Sequence, residues 1–185
     1  DERREVASIT KLMTALLVLE ALDRDEIALT DSVQISPRAA AMKGSQALLD
    51  ASAVYPLEDL LRTTIMASAN DSAVALSEYI AGSEENFVDR MNRRAAELGM
   101  TNTNYVNCTG YPQSGQYTTA RDVCRLCCEI AKHPRYNQYA SVWIDKLTHP
   151  GGRVTDLTNT NRLVRFYEGC DGYKTGSTDA AKYCL

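Results

Sequence analysis

The sequence predicts one α+β domain covering residues 1–185. Patterns typical of helices occupy the first two thirds of the chain, and short strand-like segments are concentrated in the last third. The chain has no low-complexity tract and no repeat of roughly 20–50 residues that would indicate a repeat architecture. With 185 residues, of which 44% are apolar and 24% charged, it is long enough to enclose a hydrophobic core.

Charge and hydropathy argue against nucleic-acid binding and against a membrane span. Twenty basic and 24 acidic side chains give a net charge of -4, without the Lys and Arg cluster that binds polyanions. The longest apolar stretch, residues 12–22, is interrupted by Thr14 and Glu20 and is shorter than the roughly 20 residues needed to cross a bilayer. It therefore predicts a buried helix.

The first half of the chain contains three successive helical patterns. Residues 9–23 are apolar on nearly every side, which is typical of a helix enclosed by the rest of the protein, and Ser8 would lie in its first turn. Residues 55–65 form an amphipathic pattern with Pro56 near its beginning. A third helix is expected to begin at Asp71.

Two further helices carry clear start and stop signals. Ser83 is placed as an N-cap and Gly99 as the stop of a helix with one apolar stripe, formed by Phe87, Met91, Ala95 and Leu98. Thr119, with Asp122 three positions later, predicts the start of a helix that ends before Pro134.

The remaining segments predict irregular structure and strands. Residues 101–117 are rich in Asn, Gly and Pro, which favours turns. Beyond the last helix, strand-like composition is found in residues 141–147, 153–159 and 169–176.

Ser8 and Lys11 lie three positions apart at the beginning of the most apolar helix. Residues at this spacing share one helix face, so the Lys11 amine can reach the Ser8 hydroxyl. Serine needs a base to act as a nucleophile, and a lysine serves when burial and a second nearby cation lower its pKa. The helix N-terminus also lets the Ser8 N–H stabilise negative charge. Alone, this spacing is weak evidence for catalysis, and an N-cap serine followed by a lysine that extends to solvent is the preferred interpretation.

Two further motifs favour the catalytic interpretation of Ser8 and Lys11. Ser68 and Asn70 form S-x-N between two predicted helices, and Lys174, Thr175 and Gly176 form K-T-G. Taken singly, these residues have structural explanations, such as a helix cap, a solvated lysine or a turn glycine. In the order S-x-x-K, S-x-N and K-T-G, they resemble the active-site motifs of penicillin-binding proteins and serine β-lactamases.

Longer segments narrow the resemblance to the low-molecular-mass D-alanyl-D-alanine carboxypeptidases among the penicillin-binding proteins. It extends over nearly the whole chain, in ASITKLMTAL, MASANDSAVALSEYIAGS, FVDRMNRRAAELGMTNTNY, GQYTTARDV, TNTNRLV and GCDGYKTGSTDAAKYCL. The resemblance implies an α/β/α sandwich of the β-lactamase/transpeptidase type, with an antiparallel sheet and a helical subdomain. Because relatives carry further strands on both sides, residues 1–185 are expected to be a catalytic domain truncated at both ends, with an incomplete sheet.

The implied activity is removal of the terminal D-alanine from peptidoglycan pentapeptide stems through an acyl-enzyme, inhibited by β-lactams. In this interpretation Ser8 attacks the penultimate D-alanine carbonyl and Lys11 accepts its proton. Ser68 passes a proton to the departing amine. Asn70 holds the substrate amide and orients Lys11.

The resemblance also implies a substrate-binding role for the third motif. Lys174 would supply positive charge, which would help keep the catalytic lysine neutral, and Thr175 a hydroxyl for the substrate carboxylate. Gly176 would allow a close backbone approach. The N–H of Ser177 would complete an oxyanion site with that of Ser8.

The resemblance further implies no cofactor, no nucleic-acid partner and an extracytoplasmic location in the bacterial cell envelope, and it leaves room for a membrane tether outside this chain. The first alternative is a class A-like β-lactamase, but the E-x-x-L-N pattern of such enzymes is missing between Asn70 and Lys174. The second is a non-catalytic module that binds penicillin or muropeptides.

The positions of the cysteines and histidines raise the question of a metal site, for which the sequence gives little support. Cys124, Cys127 and Cys128 lie in one helical pattern close to His133, but a metal site normally needs four converging ligands, so small core residues are preferred. Surface positions are expected for both His133 and His149, since each precedes a proline.

The sequence does not decide whether Cys170 and Cys184 form a disulfide. Cys170 and Cys184 flank the K-T-G motif and would be able to pair if their α-carbons lie within about 4.4–6.8 Å.

Overall fold

The structure of the protein is a computed structural model that describes residues 2–185. A 3-10 turn, Ala7–Thr10, precedes the first α-helix. The α-helices of the described residues are α1 Lys11–Asp23, α2 Pro37–Ala40, α3 Leu57–Met66, α4 Asn70–Ala81, α5 Glu84–Glu97, α6 Ala120–Ile130, α7 Pro134–Ala140 and α8 Leu163–Phe166. The strands are β1 Ser32–Gln34, β2 Val54–Pro56, β3 Ile144–Thr148, β4 Val154–Thr158, β5 Gly176–Thr178 and β6 Lys182–Cys184.

Helix α1 is the centre of the helical part, as its sequence predicts. It packs against α3, α4, α5, α6 and α7, and most of its side chains are buried. Ser8 does not lie in the α-helix itself but in the preceding 3-10 turn, where Ala7 has a φ of 48°. This turn places Ser8 at the end of a helix that the core holds on every side.

The predicted helix boundaries are confirmed where local signals are strong. Ser83 Oγ accepts a hydrogen bond from Asn86 N, and Thr119 Oγ1 accepts one from Asp122 N. Gly99, just after α5, has a φ of 69°, a conformation that favours glycine. Helix α7, which the sequence patterns did not predict, begins at Pro134.

The strands form three separate antiparallel pairs, β1 with β2, β3 with β4, and β5 with β6. The strands predicted in residues 141–147 and 153–159 correspond to β3 and β4. The strand predicted over residues 169–176 is wrong for most of its length, because regular pairing begins only at Gly176. Lys174 and Thr175 therefore precede β5, and the Thr175 hydroxyl is hydrogen-bonded to Thr160 in another segment.

No helix within residues 2–185 has the length and hydropathy of a membrane span.

The structure corrects one histidine prediction and one cysteine prediction. His149 is not on the surface but 2% exposed, between the Tyr55 hydroxyl at 2.7 Å from Nδ1 and Thr155 Oγ1 at 2.8 Å from Nε2. Burial, followed by the charge of Arg153, lowers the pKa of His149. Cys124 and Cys128 are exposed rather than core residues, because α6 turns that face to solvent.

The remaining cysteines are unbonded. Cys108 is fully buried, and Cys127 is half-buried. Cys170 and Cys184 are both free, and the Cys184 thiol donates to Ala181 O at 3.5 Å. In the described part of the chain, no group of three or more His, Cys, Asp and Glu side chains is arranged to hold a metal ion.

Candidate active site

The three sequence motifs meet at one cavity of about 540 Å³. Its lining includes five of the predicted site residues, Ser8, Ser68, Thr175, Gly176 and Ser177. Asn70 lines an adjoining cavity of about 330 Å³, together with Ser8 and Ser177. The structure therefore brings together side chains that are separated by more than half of the chain; we call the larger space the reaction cavity.

Ser8 and Lys11 form the chemical centre of this site. The 3-10 turn and the first turn of α1 place Lys11 Nζ 2.9 Å from Ser8 Oγ. Lys11 Nζ also donates to Thr109 O at 2.7 Å, so two contacts hold the amine. Ser8 is half-buried and lines the reaction cavity, whereas Lys11 is 1% exposed. A neutral Lys11 amine can accept the Ser8 proton directly at this distance.

Burial lowers the pKa of Lys11, which favours the neutral amine that can accept the Ser8 proton. Desolvation lowers the pKa of Lys11 to about 7, against an opposing effect of the Asp71 charge. Burial is the largest cause of this shift, and the expectation that Lys174 helps to keep Lys11 neutral stays a prediction. The two amines interact, since burial and then the Lys11 charge lower the pKa of Lys174 well below its ordinary value.

The S-x-N motif lies at the junction of α3 and α4. Ser68 has a φ of 60°, which turns the chain sharply between the two helices, and it lines the reaction cavity although it is only 3% exposed. In residues 2–185, the Ser68 hydroxyl makes no hydrogen bond. Asn70 Nδ2 donates to Lys43 O at 2.6 Å, so its amide is anchored on the main chain rather than on Lys11. The proposed orientation of Lys11 by Asn70 stays a prediction.

The K-T-G segment packs directly on the turn that carries the nucleophile. A Cβ on Gly176 would lie 2.7 Å from Val6 O and 3.1 Å from Ser8 N. Glycine is therefore required at this position for the close approach of β5 to Ser8. Lys174 Nζ, itself buried, donates to Thr175 O at 2.9 Å, and the Thr175 hydroxyl donates to Thr160 Oγ1 at 2.8 Å.

The segment that supports Lys11 from the opposite side was missed by reasoning from the sequence. Asn107 Oδ1 accepts hydrogen bonds from Thr109 N at 3.2 Å and from Gly110 N at 2.8 Å, which shapes the turn that presents Thr109 O to Lys11. In the sequence, the Asn and Gly of this turn indicate only irregular structure. Ser45, which lines both cavities, has no signal in the sequence.

Gly110→Ala is expected to destabilise the protein strongly. Gly110 has a φ of 78°, and a Cβ there would lie 1.8 Å from Ala7 O. A left-handed backbone costs a residue with a Cβ roughly 1–2 kcal/mol, and overpacking adds about 1–3 kcal/mol. The free energy of unfolding should fall by the sum of these, which thermal denaturation measures.

Gly115→Ala is the matched control for this prediction. Gly115 has a φ of 94°, but its Cβ would make only an ordinary contact, 3.6 Å from Val106 Cγ1. This variant carries the backbone cost of about 1–2 kcal/mol without the collision. Equal melting temperatures for the two variants would contradict the close packing of Gly110 on the Ser8 turn.

Comparison of the sequence with known proteins identifies a family with the same three motifs. The sequence profile of the D-alanyl-D-alanine carboxypeptidase family, peptidase family S11, matches residues 1–185. The chain is 43% identical to D-alanyl-D-alanine carboxypeptidase DacF of Bacillus subtilis over 185 residues, covering all of this chain and 48% of DacF. It is 34% identical to DacC of Escherichia coli, covering all of this chain and 47% of DacC. The chain thus spans about half the length of these curated relatives.

Solved structures of similar proteins share the fold. The crystal structure of D-alanyl-D-alanine carboxypeptidase DacD from Francisella tularensis superposes with a TM-score of 0.95 at 29% identity, covering all of this chain and 56% of that one. Penicillin-binding protein 5 from Haemophilus influenzae gives a TM-score of 0.91 at 33% identity, over 99% of this chain and 53% of that one. The predicted β-lactamase/transpeptidase-like fold is therefore confirmed. With a family profile matching its full length, the chain belongs to the D-alanyl-D-alanine carboxypeptidase family of serine peptidases.

Proposed function

We propose that the protein is a serine D,D-carboxypeptidase that removes the terminal D-alanine from peptidoglycan pentapeptide stems. The observation that carries this proposal is the contact of 2.9 Å between Ser8 Oγ and a buried lysine amine, at the wall of a cavity that all three motifs surround or adjoin. Family membership supplies the substrate class, since the named relatives are D-alanyl-D-alanine carboxypeptidases.

Acylation follows from the positions of three side chains. Lys11 Nζ takes the proton from Ser8 Oγ as this oxygen bonds to the carbonyl carbon of the penultimate D-alanine. The C–N bond then breaks, and the terminal D-alanine leaves as an amine that receives, through the Ser68 hydroxyl, the proton that Lys11 had accepted. Water subsequently hydrolyses the ester between Ser8 and the shortened peptide, which restores the Ser8 hydroxyl and releases the peptide with a new C-terminal carboxylate.

Substrate positioning is assigned to residues around the same cavities. In the proposal, the N–H groups of Ser8 and Ser177 stabilise the oxyanion, and the Asn70 amide holds the substrate backbone. Gly176 keeps β5 close to the nucleophile, since a Cβ at this position would lie only 3.1 Å from Ser8 N. The Thr175 hydroxyl, which donates to Thr160 Oγ1 in this structure, would turn to the substrate carboxylate. Lys174, whose pKa burial lowers, would supply positive charge to the site when it is protonated.

The proposed partners follow from this chemistry. Peptidoglycan stems that end in D-Ala-D-Ala are the substrate, and β-lactams acylate Ser8 as covalent inhibitors. Because this substrate lies outside the cytoplasm, we place the protein in the cell envelope, which is consistent with a family that acts on the cell wall.

A comparison of two peptides and a penicillin tests the proposed function. The protein is incubated with a stem peptide ending in D-Ala-D-Ala and with a matched peptide ending in D-Ala-L-Ala, and released alanine is measured by chromatography. We expect D-alanine from the first peptide and little release from the second. A fluorescent penicillin should label the protein, and intact mass should show that the label persists.

Other results would identify the competing functions. Rapid turnover of penicillin would indicate a β-lactamase. A stable label with no cleavage of either peptide would indicate a binding module without peptidase activity.

The acylation rate is expected to rise with pH through about 7, because burial lowers the pKa of Lys11 to about 7. Below this pH the amine is protonated and accepts no proton from Ser8, so the rate should fall roughly tenfold for each pH unit. Above it the rate should level off. Stopped-flow acylation by penicillin between pH 5 and pH 9 measures this, since the penicillin carboxylate stays ionised throughout; a rate that rises only near the ordinary lysine pKa would contradict the assignment.

A further inference from the structure

The Asp71 carboxylate is fully buried and has no part in the proposed mechanism. It lies in the first turn of α4, directly after Asn70, and is 0% exposed. Three main-chain N–H groups donate to it, those of Ala47 at 2.9 Å, Leu49 at 3.1 Å and Ser72 at 2.9 Å. Within residues 2–185, no cationic side chain forms an ion pair with this carboxylate. Its hydrogen bonds to Ala47 and Leu49 therefore join α4 to an irregular segment of the chain.

The segment that Asp71 holds, residues 43–49, has an unusual backbone at Leu48. Leu48 has a φ of 62°, a left-handed conformation that is unfavourable for a residue with a Cβ. The N–H groups on both sides of it, those of Ala47 and Leu49, donate to Asp71. Such a conformation persists where the surrounding contacts impose it. The two hydrogen bonds to Asp71 are contacts of this kind, so they fix the conformation of the segment.

Residues 43–49 in turn hold Asn70 and form part of the site. Asn70 Nδ2 donates to Lys43 O at 2.6 Å, and Asn70 N donates to Ser45 O at 2.8 Å. Ser45 lines both cavities, and Gly44 lines the smaller one. The position of this segment therefore sets the position of the Asn70 amide and of one cavity wall.

We propose that Asp71 is a positioning residue, whose buried carboxylate holds residues 43–49 so that Asn70 and the cavity wall keep the places that acylation of Ser8 requires. This assignment rests on the proposed function for the role of Asn70. It goes beyond that function because Asp71 lines neither cavity and acts only through other residues.

The Asp71 charge also reaches Lys11. In residues 2–185, the titratable groups that interact with the Lys11 amine are Asp71 on α4, the Cys108 thiol and Lys174 before β5. Burial raises the pKa of Cys108 well above its ordinary value, so the thiol stays neutral. Asp71 opposes the burial that lowers the pKa of Lys11 to about 7. Loss of the Asp71 charge should therefore lower the pKa of Lys11 further, which a defect in stability alone would not do.

Stopped-flow acylation of Asp71→Asn by penicillin between pH 5 and pH 9 tests both effects. The amide has the size of the carboxylate, but its NH₂ group accepts no hydrogen bond, so either Ala47 N or Leu49 N loses its acceptor. The maximal rate should fall by up to about 10²-fold, as for a small displacement of positioned groups. The pH of half-maximal rate should move below 7, because the neutral Lys11 amine then persists at lower pH. An unchanged maximal rate, or a lower one with its midpoint still at about 7, would overturn the proposal.

Asp122→Asn is the matched control. Asp122 also lies in the first turn of a helix, α6, is 1% exposed and accepts from the main-chain N–H of Asn102 at 2.9 Å. It lines neither of the two cavities of the site. This variant should have a lower melting temperature but the same maximal rate and the same midpoint as the unchanged protein.

Gly44→Ala tests the positioning without removing a titratable group, and it remains informative if Asp71→Asn does not fold. Gly44 is exposed and has a φ of 84°, and a Cβ there would lie 2.8 Å from Asn70 Nδ2. The substitution should push residues 43–49 away from Asn70, so the maximal rate should fall while the midpoint stays at about 7. Acylation of Gly44→Ala at the full rate would overturn the proposal.

A separate measurement distinguishes this proposal from the proposed function. If the unchanged protein releases no D-alanine, the proposed function is contradicted, while acylation by penicillin still tests Asp71. If penicillin does not react either, amide hydrogen exchange followed by mass spectrometry decides. Faster exchange of residues 43–49 in Asp71→Asn, with unchanged exchange in α1, supports the link between Asp71 and this segment. Equal exchange of residues 43–49 in the two proteins overturns it.

Discussion

Ser8→Ala is expected to abolish both release of D-alanine and covalent labelling by penicillin. The substitution removes the oxygen that forms the acyl bond, and removal of a nucleophile from such a unit costs at least about 10⁴-fold in rate. Chromatography of released D-alanine and intact mass after exposure to penicillin measure the two effects.

The structure predicts that this variant keeps its fold and its site. Ser8 is half-buried in a 3-10 turn, and Lys11 retains its contact of 2.7 Å with Thr109 O when the hydroxyl is removed. Reversible binding of a D-Ala-D-Ala peptide should therefore persist. A covalent penicillin adduct on Ser8→Ala would show that another residue is the nucleophile.

Lys11→Arg is expected to slow acylation of Ser8 by about 10²–10⁴-fold, the usual contribution of a general base. Arginine keeps the positive charge but does not lose its proton, so it is unable to accept one from the serine. Burst kinetics with penicillin measure the acylation step apart from hydrolysis of the ester.

Two variants separate loss of the base from loss of packing. Lys11→Met has a side chain of about the same length as lysine but no group that accepts a proton. It should slow acylation as much as Lys11→Arg does, which would show that the size of the guanidinium is not the cause. Lys146→Arg changes an exposed lysine on β3 and should leave acylation unchanged. Normal acylation by Lys11→Arg would exclude Lys11 as the base.

Local signals predicted the elements that local interactions stabilise. The caps at Ser83 and Thr119 satisfy main-chain N–H groups three residues away, so the residues that decide the helix start are adjacent in the sequence. The apolar character of residues 9–23 likewise predicted burial on every side of α1, which the structure confirms.

Long-range contacts decided the features that sequence patterns did not predict. His149 precedes a proline in a loop-like segment, yet a hydrogen bond to Tyr55, 94 residues earlier, holds it in the interior. Gly110 and Thr109 approach the Ser8 turn from a segment about as distant in sequence. Local composition contains no information about such partners.

The amino-acid sequence by itself determined the five longest helices, the three motifs and the family, because side-chain periodicity, capping residues and motif order can all be read along the chain. The tertiary structure decided which amines are buried and which carbonyl holds Lys11. Desolvation and hydrogen bonding depend on atoms from segments far apart in the sequence, such as Thr109 and Lys11. Only folding brings these atoms to their final distances, and the proton affinity of the site follows from those distances.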